Sequence, residues 1–259
     1  VLLQIMDNVQ ANLSQSPPDI TATSEPGASD FIPDFLARLQ SENEKTQLQL
    51  IQDIAAQGES GLTVLMRVLQ DRQGRNPGPL EGKAVQILSA AESPKAQEFL
   101  QTQFPQGLVP GRSQRGVDYS LLQTLLVQQD FQAADRLTLE KLCELAGPAA
   151  VQRRWIYFTE VDDFPIEDLQ TINTLWLVYS EGKFGFSVQR DLWLSVGKNW
   201  DRLWPLIGWK SGNNWTRYPG GFTWSLAAPR GHLPLSNQLR GVRTMASLMA
   251  HPAWTAQEK

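Results

Sequence analysis

From Phe31 to Phe104 apolar residues recur three and four positions apart: Phe35 and Leu39, then Leu48, Ile51 and Ala55, then Leu62, Leu65, Met66 and Leu69. That period belongs to amphipathic helices. Gly58, Gly61, Gly74 and the NPGP run at 76–79 cut the stretch into short helices, so residues 31–110 are expected to form an N-terminal helical bundle. Ahead of it, residues 1–30 end in SQSPPDITATSEPGASD, whose Ser, Pro, Thr and Asp content predicts a flexible lead-in. Behind it, FPQGLVPGRSQRG at 104–116 has the composition of a linker.

The helical period resumes with Tyr119, Leu122, Leu125 and Leu126. Asp130 is placed to cap a helix carrying Phe131, Ala134, Leu137, Leu142 and Leu145, and Gly147-Pro148 ends it. Pro165 predicts the first position of the next helix, with Leu169, Ile172, Trp176 and Tyr179 on its apolar stripe. Ser187 and Asn199 are expected to cap two further short helices. A last helix is expected from Ser236 or Asn237, burying Leu239, Val242, Ala246 and Met249. No strand pairs emerge, so the fold class is all-α. Gly208 to Ser236 has no helical period, five glycines, three prolines, and Trp209, Trp215, Tyr218, Phe222 and Trp224. A loop that long is functional or disordered, and its aromatic content speaks against disorder.

Composition sharpens this division. Residues 1–110 hold neither Trp nor Tyr, whereas eight of nine tryptophans lie between Trp155 and Trp224, so the two regions are separately built. Helix spacing in the first suggests HEAT-like pairs, too few for a solenoid. Net charge −4 argues against a general nucleic-acid binder. The single Cys143 excludes an intramolecular disulfide and is expected to be an inert packed thiol. No apolar run approaches the roughly 18 residues that span a bilayer, and a cytoplasmic protein is expected.

Nucleotide-loop, zinc-protease and C-x-x-C motifs are missing. The five carboxylates of Glu160 to Asp168 lack the ligand spacing of a calcium loop and are assigned to capping and the helix dipole. His232, in RGHLP, is expected to be a turn residue bonding a backbone carbonyl; the competing reading is an axial ligand or acid–base group. Trp155, Trp176 and Trp193, placed in helical segments, are assigned to the core. The segment 201–250 carries Arg202, Lys210, Arg217, Arg230, Arg240 and Arg243 against Asp201 alone, a balance of 6 − 1 = +5. Arginines three apart near a helix start suit an anion. With the aromatic loop they suit a flat apolar ligand with peripheral carboxylates. Burying roughly 400 Å² of it would give on the order of 10 kcal/mol gross, enough for micromolar affinity without a metal bond.

The stretches LTLEKLCELAG, RRWIYFTEVDDFPIEDLQTINTLWLVYSEGKFGFSVQRDLWLSVGKNWDRLWPLIGWKSG and NWTRYPGGFTWSLAAPRGHLPLSNQLRGVR resemble the Genomes Uncoupled Four family. The likeness covers about 140 residues, 118 to 254, and FGFSVQ, GWKSG, APRGHLPL and NQLRGVR carry it. It implies a non-enzymatic protein that binds protoporphyrin IX and magnesium protoporphyrin IX, requires no cofactor, and stimulates magnesium chelatase in chlorophyll biosynthesis. The implied partner is the large porphyrin-binding subunit of that chelatase. The implied core is a cupped, mainly helical domain, 111–259, whose groove is roofed by the long loop. By the resemblance Arg240 and Arg243 bind porphyrin, Asn237 reaches the macrocycle, Phe158 lines the groove, and Trp215, Tyr218, Pro219 and Phe222 form the loop, with Leu235 and Leu239 in the same set. The family position at Tyr218 is often Trp. The resemblance further implies a cyanobacterial photosynthetic protein, monomeric, with peripheral membrane association open. Two other classes remain: a protein-interaction module whose aromatic loop docks a partner without porphyrin, and a tetrapyrrole-modifying enzyme using His232.

Overall fold

Asn43, Ser93, Asp130 and Asn199 each accept a hydrogen bond from the backbone amide three residues on, and each opens a helix. The computed structural model describes residues 35–39, 41–235 and 242–255. After a helical segment at 35–39 come α1 (Glu44–Ala55), α2 (Glu59–Asp71), α3 (Pro79–Ala90) and α4 (Pro94–Gln103). Then follow α5 (Ser120–Val127), α6 (Phe131–Ala146), α7 (Pro148–Arg153), α8 (Phe158–Val161), α9 (Ile166–Tyr179), α10 (Phe186–Ser195) and α11 (Trp200–Leu206). A two-stranded hairpin, β1 (Lys210–Ser211) and β2 (Asn214–Trp215), precedes α12 (Arg243–Ala250) and a 3-10 turn, Pro252–Trp254. The protein is all-α in class; among the described residues the hairpin adds one strand pair that the sequence did not show.

Helix α9 organises the packing, because it touches α3, α5 and the 3-10 turn. Leu169, Ile172, Leu175 and Trp176 are fully buried on it. Trp176 donates its indole N–H to Thr138 Oγ1 at 3.0 Å and lies against Phe131 and Phe184. Its burial agrees with the core assignment, and a buried indole needs such a partner. Helix α3 reaches α9 from the other side: Gln86 Nε2 donates to Tyr179 O at 2.9 Å, and Lys83 pairs with Glu181 at 2.7 Å.

The stretch between α4 and α5 is strapped down rather than left as a free spacer. Gln123 Oε1 accepts from Val109 N, and its Nε2 donates to Val109 O and Gln106 O. Gly107, at φ +83°, permits this, since a Cβ there would sit 2.2 Å from the Gln123 amide. Downstream, fully buried Asp168 accepts from Ser113 Oγ, Gln114 N and Tyr119 OH. The acidic run therefore does more than cap: Asp168 ties a segment 49 to 55 residues away, while Glu160 takes Arg153 and the Tyr157 amide.

Local expectations fail where a distant residue acts. Ser187 is not a cap; α10 starts at Phe186, and the Ser187 amide is received by Asn173 Oδ1 of α9 at 2.9 Å. Pro165 stands one residue before α9. Trp155 lies in the bend after α7, between helices, under Arg153 and beside Tyr157. Trp193 is only half buried, at the end of a tryptophan column. The last helix begins at Arg243, with Val242 exposed, Ala246 half buried, and Thr244, Met245, Leu248 and Met249 inward; its expected start lies outside the described residues.

Cys143 is buried on α6, and burial pushes its thiol up to about 11. Almost none is thiolate at pH 8, and thiolate is the reacting species. A thiol reagent such as a disulfide chromophore is expected to label native protein at least about a hundredfold more slowly than urea-unfolded protein; equal rates would contradict this burial.

Candidate functional site

The chain leaves α11 through Ile207 and Gly208, and one histidine fixes everything that follows. His232 Nδ1 bonds Ile207 O at 2.7 Å, and its Nε2 accepts from Thr223 N at 3.2 Å. Those partners require the neutral ring with its proton on Nδ1, and burial lowers its pKa further. Both nitrogens are thus engaged, which is the turn role and leaves neither for a ligand. Gly208, at φ +73°, passes so close that a Cβ would lie 3.2 Å from this ring.

Around that node the loop is layered. Trp209 is fully buried and donates to His232 O at 2.8 Å. Trp193, Trp200, Trp204 and Trp209 stack in a column with centroids 5.0, 5.1 and 5.6 Å apart. Trp215, on the hairpin, tilts over Trp204 and carries Lys210 above its face at 5.5 Å. Beyond it, Trp224 donates its N–H to Pro219 O, and Tyr218 meets Phe222 and Trp224. Trp215 and Tyr218 are 47% and 41% exposed, whereas Phe222 is buried against His232. Of the expected loop residues, Trp215, Tyr218 and Pro219 therefore face outward, and buried Phe222 lies against Tyr218.

The end of the loop, 231–235, is held by Gly185, Gln189 and Asp135. Gly185 N donates to Leu233 O, and Gln189 Nε2 donates to Gly231 O and Pro234 O. Asp135, from α6, accepts from Leu235 N at 2.6 Å. Asn237, Leu239 and Arg240 lie outside the described residues.

A second cluster forms where α8 packs on α12. The Arg243 guanidinium carbon stands 5.5 Å from the Phe158 ring centroid, and Phe158 is 37% exposed. Arg153 shores up this corner by bonding both Glu160 oxygens and covering Tyr157 at 4.3 Å. Phe158 and Arg243 are thus brought together, as are Tyr218, Pro219 and Phe222, while Trp215 rests on Trp204. Sequence reasoning missed Asp135, although a signal was present. It lies four residues after Phe131 and three before Thr138, a charged residue on the buried face of its helix.

A cleft of about 1190 Å³ lies elsewhere, between the α2–α3 loop and α9. Its arginines, 72, 75 and 112, are matched by glutamates 44, 81 and 167, so it has no net charge to favour an anion, unlike the segment from 201 to 250. Among the described residues no cluster of three or more His, Cys, Asp or Glu could hold a metal ion. None of their helices is long and apolar enough to cross a membrane.

A family profile described as GUN4-like matches residues 112–252, and one described as an ARM-like repeat domain, GUN4-N terminal, matches residues 24–105. A Ycf53-like protein of Synechocystis sp. is 50% identical over 88% of this chain and 98% of its own. A protein of Arabidopsis thaliana named tetrapyrrole-binding protein, chloroplastic, is 38% identical over 54% of this chain and 56% of its own. The structure of GUN4 from Chlamydomonas reinhardtii superposes with a TM-score of 0.53 at 40% identity, covering 56% of this chain and 93% of that one. The chain belongs to the GUN4 family and is of its cyanobacterial type.

Proposed function

We propose that this protein is a non-enzymatic tetrapyrrole-binding regulator that takes up protoporphyrin IX and magnesium protoporphyrin IX and stimulates magnesium chelatase through its large porphyrin-binding subunit. The observation that carries the reading is the pairing of an exposed aromatic, Phe158, with the Arg243 guanidinium across α8 and α12. The ring offers a stacking face and the cation a partner for a propionate. Trp215 and Tyr218 supply a second aromatic face, and the loop is basic where the rest of the chain is acidic. The name of the Arabidopsis relative supports the same ligand class. In this reading the set is Phe158, Trp215, Tyr218, Pro219, Phe222, Leu235, Asn237, Leu239, Arg240 and Arg243, on a core of residues 111–259.

The test is quenching of tryptophan fluorescence by deuteroporphyrin and its magnesium complex. Saturable quenching is expected for the native chain, with Arg243→Ala about tenfold weaker, the order of one charge-assisted bond. Against the dimethyl ester, which lacks the carboxylates, wild type and variant should bind alike. A variant that binds the free acid as tightly as wild type would sink the cation's role. Absence of any shift in the porphyrin's main absorption band would favour the partner-docking module instead.

A further inference from the structure

Asp135 is a buried carboxyl, 5% exposed, at the fifth residue of α6. Among the described residues no lysine, arginine or histidine forms an ion pair with it. Among the described residues its side chain accepts a 2.6 Å hydrogen bond from the Leu235 amide. A carboxylate buried with so little compensation resists ionisation, and burial pushes this one up to about 7 although the Leu235 amide pulls the other way.

The charged groups around it leave this balance undisturbed. Helix α5, SLLQTLLV, carries no charge, and α7 brings only Arg153, which is taken by Glu160. Arg136 follows on the same helix and is exposed. From the loop, Tyr218 has its pKa raised first by burial and then by the Asp135 charge. From the 231–235 segment comes His232, neutral and doubly bonded. Asp135 is thus bonded to the backbone of one residue of the proposed ligand set, Leu235, and its charge reaches a second, Tyr218.

We propose that Asp135 is a positioning residue and the proton-linked group of the tetrapyrrole site: its carboxyl holds the Leu235 backbone, and ligand closing over Leu235 and Tyr218 drives it to the protonated acid. This rests on the tetrapyrrole reading above. The sign follows from two effects of the same direction. An apolar macrocycle removes water still near the carboxyl, and its propionates add negative charge. Both disfavour the carboxylate, so binding takes up a proton and affinity falls as pH rises. The protonated acid keeps a carbonyl oxygen for the Leu235 amide, so the clamp survives the change. Burial lowers the pKa values of His232 and His251, which favours their neutral rings, and the two bonds of His232 require that form. Ligand is held on the acid side of neutrality and released on the alkaline side.

The test uses the full chain and deuteroporphyrin between pH 6.5 and 8.5. Calorimetric titration at pH 7 in two buffers of different ionisation enthalpy should show uptake of roughly half a proton per ligand, and quenching should show affinity falling about fivefold or more across the range. Asp135→Asn keeps an acceptor for Leu235 without a titratable group, so it should fold, bind, and lose both the proton count and the pH slope. Asp135→Leu, which orphans the amide, should bind about tenfold more weakly at every pH. Wild type that binds without proton uptake overturns the proposal without any variant. So does an Asp135→Asn protein with the wild-type slope, or an Asp135→Leu protein with wild-type affinity. If wild type shows no saturable binding at any pH, the tetrapyrrole reading falls, and this one with it; binding with a flat pH profile removes this one alone.

Discussion

Asp168→Ala is expected to cost about 3–5 kcal/mol of unfolding free energy, measured by urea denaturation of the full chain. The carboxylate is fully buried and receives the Ser113 hydroxyl, the Gln114 amide at 2.9 Å and the Tyr119 hydroxyl at 2.8 Å. Removing it leaves three buried or half-buried donors without an acceptor, and each loses a charge-assisted bond worth more than a neutral one. Tyr119 makes the coupling visible, because burial and then the Asp168 bond raise its pKa. Val117 N donates to Ser113 Oγ at 2.9 Å, so the segment leading into α5 loosens as a unit. Asp168→Asn, which retains one acceptor oxygen, should lose roughly half as much. A cost under about 1 kcal/mol for alanine would mean that the 113–119 segment is held by other contacts.

That residue shows where sequence reasoning stops. Asp168 in the first turn of a helix has a sufficient local explanation in the helix dipole, and the local explanation omits its partners because they lie 49 to 55 residues earlier. Caps supplied from within their own turn were legible: Asp130 and Asn199 accept from the amides expected of them. The cap on α10 was not, since Asn173 reaches it from α9. Apolar period located α6 and α9 because one stripe of each is buried. It placed Val242 in the core, where the chain instead turns into α12 with that residue exposed. The aromatic loop was legible as a segment, from composition. Which ring is a prop and which faces outward was not, because that depends on His232 fixing Phe222 below and leaving Tyr218 above.

Gly82→Ala should destabilise the chain by about 2–3 kcal/mol, although the same change in an ordinary helix interior gains about 1 kcal/mol. The sign reverses because a Cβ at Gly82 would lie 2.1 Å from Val178 O and 2.8 Å from Val178 C. Those are backbone atoms of α9 and cannot rotate away. Gly111→Ala is the control: nothing lies within 4 Å of its added carbon and its φ is not left-handed, so its effect should stay within about 0.5 kcal/mol. Of the two helices, α3 must yield. Helix α9 is fixed by Asp168 at one end and by the Tyr179–Gln123 bond at the other, whereas α3 leans on it chiefly through Gln86 and Lys83. Displacing α3 strains the Lys83–Glu181 pair after α9 but removes none of the bonds that hold the loop, where Gly231 N bonds Lys183 O and Gly185 N bonds Leu233 O. Porphyrin quenching by Gly82→Ala should therefore match wild type wherever the variant is folded, and a chain lacking residues 1–104 should bind as well. If affinity falls in step with stability, the N-terminal helices are part of the site's support, and the division of labour between the two halves of the chain is wrong.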